Sequence, residues 1–261
     1  MPELPELETL VKALDSRIEN KKLGDPIIIN PKVIMGDPKI IVGKSIKEIS
    51  RRGKWIVFSL NGLYLTFHLR LNGYLFLLDY SEPDTYDCII FPVNGEYLHF
   101  GDPRKLAQVH ITKDIRNLEE ELGIDPFSQE FTIDYLTREL KKKKTNIKTF
   151  LMDQDIISGI GNTYTDEILF DAKINPRRPC NNINQEETER LYYSIINILK
   201  EAIKLGGTSI EEFTNLIERD KFFEPKVHRR EGEPCPICGT LIVMEKISGR
   251  GTYYCPKCQR G

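Results

Sequence analysis

Two pairs of closely spaced cysteines near the C-terminus constrain the fold of this chain more than any other feature. Cys235 and Cys238 form one Cys-x-x-Cys knuckle, and Cys255 and Cys258 form a second. This spacing is typical of a tetrahedral zinc site in an intracellular protein, where disulfides are rare; a redox dithiol is the alternative. Because four thiolates would fill the coordination shell, we expect one structural Zn²⁺ with no open position for water.

The residues between the two knuckles suffice for a two-stranded hairpin that turns at Ser248-Gly249-Arg250-Gly251. A guanidinium is rarely buried without a partner, so we expect Arg250 to face solvent or a partner anion. The tail from Lys221 onwards is locally basic, although the whole chain carries a formal net charge of -2. Any case for a polyanionic partner must therefore rest on local clusters rather than on the overall charge.

The rest of the chain divides into two regions of different character. Residues 1–114 contain short β-branched and aromatic runs separated by turn residues, which predicts a β-sandwich or barrel led by one helix. Residues 115–220 look helical, and residues 221–261 hold the zinc hairpin, so the predicted class is α+β with three domains. Strands are predicted at 27–29, 40–42, 55–58, 63–67, 87–91, 96–100 and 108–112, and helices at 115–122, 133–143, 165–170 and 185–205.

The composition also excludes some classes of protein. No apolar run approaches the roughly 18 residues that a membrane span needs, and no basic segment followed by an apolar stretch opens the chain. We therefore expect a soluble, intracellular protein without a membrane partner. Cys88 and Cys180 stand alone in the sequence, and such cysteines are usually small buried hydrophobic residues.

The first residues form a possible active site at a chain end. Once Met1 is removed, Pro2 carries a secondary amine that is nucleophilic toward an aldehyde-like carbon, and Glu3 and Glu6 are close enough to move protons. An ordinary helix start explains the same residues, since Pro tolerates a missing N–H and carboxylates suit the positive end of the helix dipole. Apolar residues from 7 to 18 at helical spacing do predict an amphipathic helix here.

Several connections of the β region combine cations with apolar residues. The segments are Arg51 to Lys54, His68 to Gly73 and Gly101 to Leu106, and each taken singly is typical of a plain loop. The last two read as hairpin ends. Together they place five cations on connections of one domain, with two leucines able to act as wedges between bases. These residues are Lys54, His68, Arg70, Arg104 and Lys105, with Leu71 and Leu106.

Two further segments of the helical region carry candidate anion contacts. Lys141 to Lys144 and Lys148 form a basic run, which by default is a solvated helix face. The Gly-rich turn from Ile156 to Asn162 could offer backbone N–H groups to a phosphate, although a plain turn between helices is the commoner explanation.

Six motifs in chain order resemble the formamidopyrimidine-DNA glycosylase and endonuclease VIII family. The resemblance spans essentially the whole chain. The opening Pro-Glu-Leu-Pro-Glu is nearer to the formamidopyrimidine branch, because the other branch usually has Gly before the second Pro. The motifs are Pro2 to Glu6, Arg52-Gly-Lys54, His68 to Gly73, Asp102-Pro-Arg104, Gly159 to Asn162, and the four-cysteine tail ending Cys-Pro-Lys-Cys-Gln.

The resemblance implies an N-terminal β-sandwich, a helix–two-turn–helix domain and a zinc finger, with damaged or abasic double-stranded DNA held between lobes. It implies a monomeric, intracellular repair enzyme of the cytoplasm or nucleoid. Its activity would be that of a bifunctional DNA glycosylase and AP lyase. Such an enzyme excises oxidised bases, oxidised purines such as 8-oxoguanine and formamidopyrimidines being favoured here, and then cleaves the strand by β,δ-elimination.

The resemblance also assigns roles to individual residues. Pro2 is the nucleophile that attacks C1′ of the damaged nucleotide, Glu3 donates and shuttles protons, and Glu6 supports the site. Lys54 serves β-elimination and contacts phosphate. Arg250, grouped with the catalytic residues, binds a phosphate beside the lesion. The DNA-binding set is His68, Leu71, Arg104, Leu106, Lys148 and Asn162.

The chain also departs from the family pattern. The family usually has Met, Arg and Phe where this chain has Leu71, Arg104 and Leu106, and the loss of the aromatic ring removes stacking on a base pair. His228-Arg229-Arg230 replaces the usual Tyr-Gly-Arg, and residues 215–225 are not a close match to the family's lesion-covering loop. Two alternatives therefore stay open: a preference for oxidised pyrimidines, or a zinc protein that binds damaged or abasic DNA with little or no excision.

Overall fold

The computed structural model describes residues 1–120, 122–217 and 221–260, with the side chains of 117, 119 and 211 excepted. The chain forms two compact units. The first contains Met1–Glu120 and Leu205–Phe222, and the second contains Glu121–Lys204 and Phe223–Gly261. The predicted α+β, multidomain class is confirmed, while the predicted domain boundaries at 114 and 220 stay a prediction.

The first unit is a β-sandwich led by the helix α1 (Leu4–Ile18). One sheet has the strand order β1-β7-β8-β6 and the other has the order β2-β9-β5-β4-β3. The Phe67 ring of the second sheet packs against Phe91 and Phe100 of the first, with centroids 5.7 and 5.5 Å apart. The strands are β1 Ile27–Ile28, β2 Ile34–Met35, β3 Glu48–Arg52, β4 Trp55–Ser59, β5 Tyr64–His68, β6 Tyr74–Leu78, β7 Asp87–Val93, β8 Glu96–Gly101 and β9 Gln108–Thr112.

The leading helix is fixed along β3 by apolar and polar contacts. Its apolar stripe, which includes Leu7 and Leu14, is buried in the sandwich core. At the ends of this stripe, the Glu8 carboxylate accepts a hydrogen bond from Arg51 Nε at 3.1 Å, and Asp15 Oδ1 accepts one from the N–H of Ile49 at 3.2 Å. Moving toward the N-terminus of α1 therefore corresponds to moving toward the β3–β4 turn.

Several local predictions were wrong. Residues 40–42 are not a strand, because Asp37 accepts a hydrogen bond from the N–H of Lys39 and caps the 3₁₀ helix Pro38–Ile41. Arg51 and Arg52 belong to β3 rather than to a turn. The loops 68–73 and 101–106 are not hairpin ends, since β5 and β9 lie in one sheet and β6 and β8 in the other. The strands β2, β3 and β6 were not predicted.

The second unit combines helices with the C-terminal hairpin. The predicted helices at 133–143 and 185–205 are present, whereas the segment predicted from 165 to 170 begins earlier, at Asn162. The short helix Ile147–Leu151 was not predicted. No helix in the described ranges is both long and apolar enough to span a membrane. The elements from the end of the sandwich are α2 Arg116–Glu120, α3 Ile133–Lys142, α4 Ile147–Leu151, α5 Asn162–Asp171, α6 Gln185–Leu205, β10 Val243–Ile247 and β11 Arg250–Tyr254.

The segment after α6 returns to the first unit. Phe213 is buried in the sandwich core, and its carbonyl accepts a hydrogen bond from the N–H of Leu75 at 2.9 Å. The Asn215 side chain accepts from the N–H of Leu77 and donates to its carbonyl, at 2.9 and 2.8 Å. These contacts fix residues 205–217 beside β6, although the chain on either side belongs to the second unit.

Candidate active site and nucleic-acid interface

The N-terminal residues are held in one geometry at the start of α1. Glu3 is the N-cap residue, so Pro2 lies just outside the helix, and the helical proline of the first turn is Pro5. The Glu6 carboxylate accepts a hydrogen bond from the N–H of Glu3 through Oε2 at 2.9 Å. Pro2, Glu3 and Glu6 are all buried, the two carboxylates with 4% and 2% exposure. The carboxylates are therefore fixed beside the proline that precedes the helix.

A loop far away in sequence holds the other oxygen of Glu6. Glu6 Oε1 accepts hydrogen bonds from the N–H of Thr208 at 2.9 Å and from its hydroxyl at 3.3 Å. Gly207 has a φ of +82°, and a Cβ added there would lie 2.3 Å from Glu6 Oε1. Glycine is thus required on two grounds, its backbone conformation and the space taken by the carboxylate. The loop that follows α6 completes the N-terminal site.

Lys54 lies in the turn between β3 and β4 and is half-buried. The preceding Gly53 has a φ of +54°, and its carbonyl accepts a hydrogen bond from Arg51 Nη1 at 3.1 Å. Because α1 begins near this turn and runs away from it along β3, the turn and the start of the helix lie at the same end of the sandwich. The sequence motifs of Pro2 and Lys54 are therefore brought to one end of the first unit.

His68 ends β5 and has its protonation state set by its surroundings. Burial, reinforced by the positive charges of Arg70 and Lys54, lowers the pKa of His68 to about 3. The ring is therefore neutral at physiological pH, and its Nδ1 accepts a hydrogen bond from the N–H of Arg70 at 3.1 Å. This contact leaves the proton on Nε2, which makes His68 a neutral hydrogen-bond donor. The edge of the Trp55 ring packs against it, with centroids 4.8 Å apart.

The loop that carries Arg104 and Leu106 is organised by one buried carboxylate. Asp102 is 1% exposed; its Oδ1 accepts from the N–H of Arg104 at 2.9 Å, and its Oδ2 accepts from the N–H of Leu106 at 2.7 Å. Lys105 between them adopts a φ of +55°. The loop thus directs a cation and an apolar side chain, 54% exposed, away from the core. Leu71 is likewise exposed.

The four tail cysteines form one metal centre. Their Sγ atoms all lie within 4.8 Å of one another, with Cys235–Cys258 at 3.9 Å and Cys238–Cys255 at 3.5 Å. A tetrahedral zinc with bonds of about 2.3 Å separates its sulfur ligands by about 3.8 Å, so the cluster fits the ion. With four protein ligands, a zinc ion held by these cysteines would supply structure and no Lewis-acid chemistry. The predicted single structural Zn²⁺ is confirmed.

A buried carboxylate on α5 joins the elements of the second unit. Asp166 Oδ1 accepts a hydrogen bond from Lys148 Nζ at 2.6 Å. Its Oδ2 accepts from His228 Nδ1 at 2.7 Å and from the N–H of Tyr253 at 3.3 Å. The neighbouring Glu167 accepts three backbone N–H groups of residues 226–228, and burial raises its pKa despite these donors. The two acids connect α5 with α4, the chain entering the zinc finger, and the zinc hairpin.

The place of Lys148 in a basic run predicts that it lies on a solvated helix face, and this prediction was wrong. Its side chain is 1% exposed because it pairs with Asp166, and its ammonium also donates to the carbonyl of Asn162 at 3.2 Å. Lys148 therefore holds the first residue of α5 in place. Its assignment to DNA binding stays a prediction, and a role in positioning Asn162 is the one that its contacts favour.

Asn162 and Arg250 lie on elements that touch. Asn162 Nδ2 donates a hydrogen bond to the carbonyl of Gly251 at 3.0 Å, which fixes the start of α5 against β11. Arg250 is exposed and pairs across the hairpin with Ile247, so the turn itself is Ser248-Gly249. A shared site for anions is consistent with an exposed guanidinium beside a helix start.

The structure thus brings Pro2, Glu3, Glu6 and Lys54 to one end of the first unit, and Asn162 and Arg250 together in the second. The sequence reasoning quoted Asp102 only as part of a motif and did not identify its role in positioning Arg104 and Leu106. It also did not identify the positioning roles of Asp166, Glu167, Gly207 and Thr208. One signal could have found the acids. Asp102 lies within a predicted site motif, and Asp166 and Glu167 directly precede apolar helix positions, where an unpaired carboxylate would be costly.

Three family models match successive parts of the chain. The model described as the formamidopyrimidine-DNA glycosylase N-terminal domain matches residues 1–109. The model of the H2TH domain of the same enzyme matches residues 122–214, and a zinc finger found in FPG and IleRS matches residues 232–261. Together the three models span all the regions that contain the candidate site residues.

Whole-chain relatives agree with these matches. Proteins named formamidopyrimidine-DNA glycosylase from Bacillus licheniformis and from Bacillus cereus strain ATCC 10987 are 37% and 35% identical, covering 100% and 99% of both chains. A crystal structure of the Lactococcus lactis FPG bound to FAPY-dG containing DNA is 32% identical, with a TM-score of 0.92 over 99% of this chain and 100% of that one. The FPG (MutM) protein from Thermus thermophilus is 32% identical, with a TM-score of 0.90 over 99% of this chain and 98% of that one.

Proposed function

The chain belongs to the formamidopyrimidine-DNA glycosylase family, and from this premise we propose that it is a bifunctional DNA glycosylase and AP lyase acting on oxidised bases. The observation that carries the proposal is the fixed group of Pro2, Glu3 and Glu6 at one end of the sandwich, completed by Thr208. Its proposed substrate is damaged or abasic double-stranded DNA; solved relatives are complexes with abasic site containing DNA and with FAPY-dG containing DNA. Oxidised purines, including formamidopyrimidines, are the proposed preference.

The proposed first step is attack of the Pro2 amine on C1′ of a flipped-out nucleotide. A bond forms between the proline nitrogen and C1′, the bond from C1′ to the base breaks, and its electron pair leaves with the base. Glu3 supplies the proton that this step requires, directly or by shuttling it. The proline nitrogen then loses its proton, and its electron pair forms a double bond to C1′ as the C1′–O4′ bond breaks and O4′ takes up a proton. The product is an iminium ion that joins the protein to the ring-opened sugar.

The iminium ion makes strand cleavage possible. It acidifies the hydrogens at C2′, so that removal of one expels the 3′ phosphate, and a further elimination expels the 5′ phosphate. Lys54, at the same end of the sandwich, is the proposed base or phosphate contact for elimination. Water then releases Pro2 from the sugar. A water nucleophile in place of the amine would stop at the abasic site, so the lyase activity depends on Pro2.

The amine must be free and neutral to react. While Met1 remains attached, the Pro2 nitrogen is an amide whose electron pair is delocalised, so unprocessed protein should be inactive. The dipole of α1 favours the neutral amine, whereas Glu3 and Glu6 favour the cation. The Glu6 charge is shared with the N–H groups of Glu3 and Thr208, which lessens its support for the cation.

The proposed DNA contacts come from both units. In the first unit His68 would donate a hydrogen bond through Nε2 to the DNA backbone. Arg104, with Leu71 and Leu106, would occupy the space left by the flipped base. In the second unit Asn162 and Arg250 would bind the phosphates that flank the lesion. Three domains, at 1–114, 115–220 and 221–261, would serve these tasks in a monomeric, intracellular protein.

A panel of duplexes tests the proposed function and its rivals. It contains 8-oxoguanine, formamidopyrimidine, thymine glycol, dihydrouracil or an abasic site, and excision and strand cleavage are read on a gel. We expect excision of the purine lesions and cleavage at the abasic site by β,δ-elimination. Faster excision of thymine glycol and dihydrouracil would instead favour the pyrimidine preference that the leucine wedges suggest.

The same panel separates catalysis from binding alone. Wild type, Pro2→Gly and Glu3→Gln are compared at equal protein concentration. If all three bound lesion DNA equally and none converted it, the protein would be a damage-binding protein of the same fold. Turnover by wild type that is lost in Glu3→Gln supports the enzyme.

A further inference from the structure

The only tryptophan of the chain lies beside two residues that are proposed to act on DNA. Trp55 follows Lys54 directly and begins β4. Its ring packs edge-on against two histidine rings, with centroids 4.8 Å from that of His68 and 4.8 Å from that of His110. The proposed reaction assigns no task to Trp55 or to His110, so the purpose of this aromatic cluster is open.

The three rings lie on the outer face of the five-stranded sheet. Phe67 of β5 points into the sandwich core, so the side chains of its neighbours Thr66 and His68 point to the opposite face. Thr66 is the register partner of His110 on β9. The ring of Trp55 therefore packs against side chains of the two next strands, β5 and β9, and strands hold side chains more precisely than loops do.

The loop after β5 fixes His68 from a different direction. The N–H of Arg70 donates a hydrogen bond to His68 Nδ1 at 3.1 Å, and Arg70 Nη2 donates one to Gln108 Oε1 at 2.9 Å. Gln108 is the register partner of His68 on β9. Within the described ranges, His68 Nε2 has no hydrogen-bond partner, and it is not one of the fully buried atoms that lack one. The contacts thus fix the ring and leave its Nε2–H available to a ligand.

Two buried polar atoms beside these rings lack partners. Within the described ranges, Thr66 Oγ1 and His110 Nε2 are buried and form no hydrogen bond. Burial of unpaired polar atoms lowers stability, and apolar side chains at these two positions would avoid the loss. Stability alone therefore does not account for a histidine at position 110. Its contact with the Trp55 ring suggests a role in supporting that ring.

The charges around His68 come from three elements. They are Arg70 on its own loop, Lys54 on the β3–β4 turn and, when protonated, His110 on β9, and all three oppose protonation of His68 in the same direction as burial. Burial and Arg70 also lower the pKa of His110. Because the Trp55 ring covers part of His68, loss of this ring should admit water and favour the protonated form.

We propose that Trp55 is a positioning residue whose ring, supported by His110, holds His68 in the orientation that directs its Nε2–H to the DNA backbone. The inference rests on the proposed function, in which His68 donates this hydrogen bond. Trp55 acts through His68 and contacts no DNA atom itself. Without the ring, His68 would have to be ordered when DNA binds, and this ordering weakens affinity.

A double-mutant cycle on DNA affinity tests this proposal. Trp55→Leu, His68→Ala and the double variant are compared with wild type by fluorescence anisotropy, on a duplex with a tetrahydrofuran abasic analogue. Trp55→Leu should weaken binding about two- to tenfold, the cost of ordering one side chain. The double variant should bind no more weakly than His68→Ala, because the effect of Trp55 passes through His68. Additive losses overturn the proposal.

Trp55→Phe separates positioning from a direct contact. Phenylalanine keeps an aromatic ring that can pack edge-on against His68 but has no N–H to donate. It should therefore recover most of the affinity that Trp55→Leu loses. No recovery would mean that the indole N–H contacts DNA, which overturns the positioning role.

The protonation of His68 gives a readout that general destabilisation would not change. Its ring protons are followed by NMR from pH 8 to pH 5. Wild type should show no titration of His68, whereas folded Trp55→Leu should show one, with a pKa nearer to the ordinary value of 6.5. The absence of this titration in folded Trp55→Leu overturns the inference.

Failure of the inference and failure of the proposed function give different results. Wild type that prefers the abasic duplex to an intact one, together with additive losses in the cycle, overturns only the role of Trp55. Wild type that binds the two duplexes equally overturns the proposed function and the inference with it.

Discussion

Both units are organised around a buried carboxylate, but the two carboxylates bind different partners. Glu6 accepts hydrogen bonds from the N–H of Glu3 and from the N–H and hydroxyl of Thr208. Asp166 accepts hydrogen bonds from two titratable side chains, Lys148 and His228. The first arrangement fixes the backbone beside Pro2, whereas the second offsets buried charge. We therefore expect substitutions near Glu6 to change reaction rates and substitutions at Asp166 to change stability.

The largest effect should follow from Glu3→Gln. Glutamine keeps the size of the side chain but cannot supply a proton to the departing base, so single-turnover excision should fall by about 10²- to 10⁴-fold. DNA affinity should stay within about twofold of wild type, because the lost interaction acts in the transition state. Glu19→Gln, at the exposed end of the same helix, is the matched control. Excision near the wild-type rate would show that the N-terminal site is not the chemical centre.

Asp166→Asn tests the other side of the comparison. It removes the negative charge that pairs with the buried Lys148 ammonium at 2.6 Å, so the free energy of unfolding should fall by about 3–5 kcal/mol. Asp153→Asn removes a partner of Lys143 in a 3.7 Å pair at the surface, and should cost at most about 1 kcal/mol. Urea unfolding measures both. Similar losses for the two variants would mean that Asp166 does not organise the second unit.

Gly207→Ala sharpens the assignment of Glu6. The added methyl group would lie 2.3 Å from Glu6 Oε1 and displace it, so excision should slow by about ten- to a hundredfold. Gly43→Ala is the matched control, because Gly43 has a φ of +76° but open space around its Cβ position. It carries the backbone strain without the clash. If both variants slowed excision equally, the contact with Glu6 would be irrelevant to chemistry.

The smallest effect concerns acid stability of the first unit. His68 has a pKa of about 3 when folded and about 6.5 when unfolded, so below pH 6.5 only the unfolded chain gains its proton. This lowers the free energy of unfolding as the pH falls from 6.5, by at most about 1.4 kcal/mol per pH unit. Thermal unfolding at pH 7 and pH 5 measures this effect. The unfolding temperature should decrease less between the two pH values for His68→Gln than for wild type. An unchanged decrease would contradict the neutral, buried state of His68.

The sequence predicted those parts of the fold that depend on local patterns. The knuckles of Cys235 and Cys255 are short-range features, and the strand at Gln108–Thr112 is bounded by turn residues. By contrast, β3 contains the polar Glu48, Ser50 and two arginines, so its strand character comes from pairing with β4 rather than from composition.

The positioning residues could not be predicted for a related reason. Thr208 binds Glu6 across 202 positions, and Tyr253 binds Asp166 across 87. No periodicity connects residues so far apart in the sequence. From its place in a basic run, Lys148 is predicted to be a surface cation, and only its pairing with Asp166 in the structure shows otherwise. The resemblance to a family identified the residues that would react, whereas only the structure identified those that hold them.

Covalent trapping tests the account most directly. Protein lacking Met1 is incubated with an 8-oxoguanine duplex and borohydride, which reduces the iminium ion to a stable amine, and the adduct is located by peptide mass spectrometry. The account predicts one adduct, on the nitrogen of Pro2, and none in protein that retains Met1. An adduct on Lys54, no adduct at all, or full lyase activity in protein that retains Met1 would contradict it.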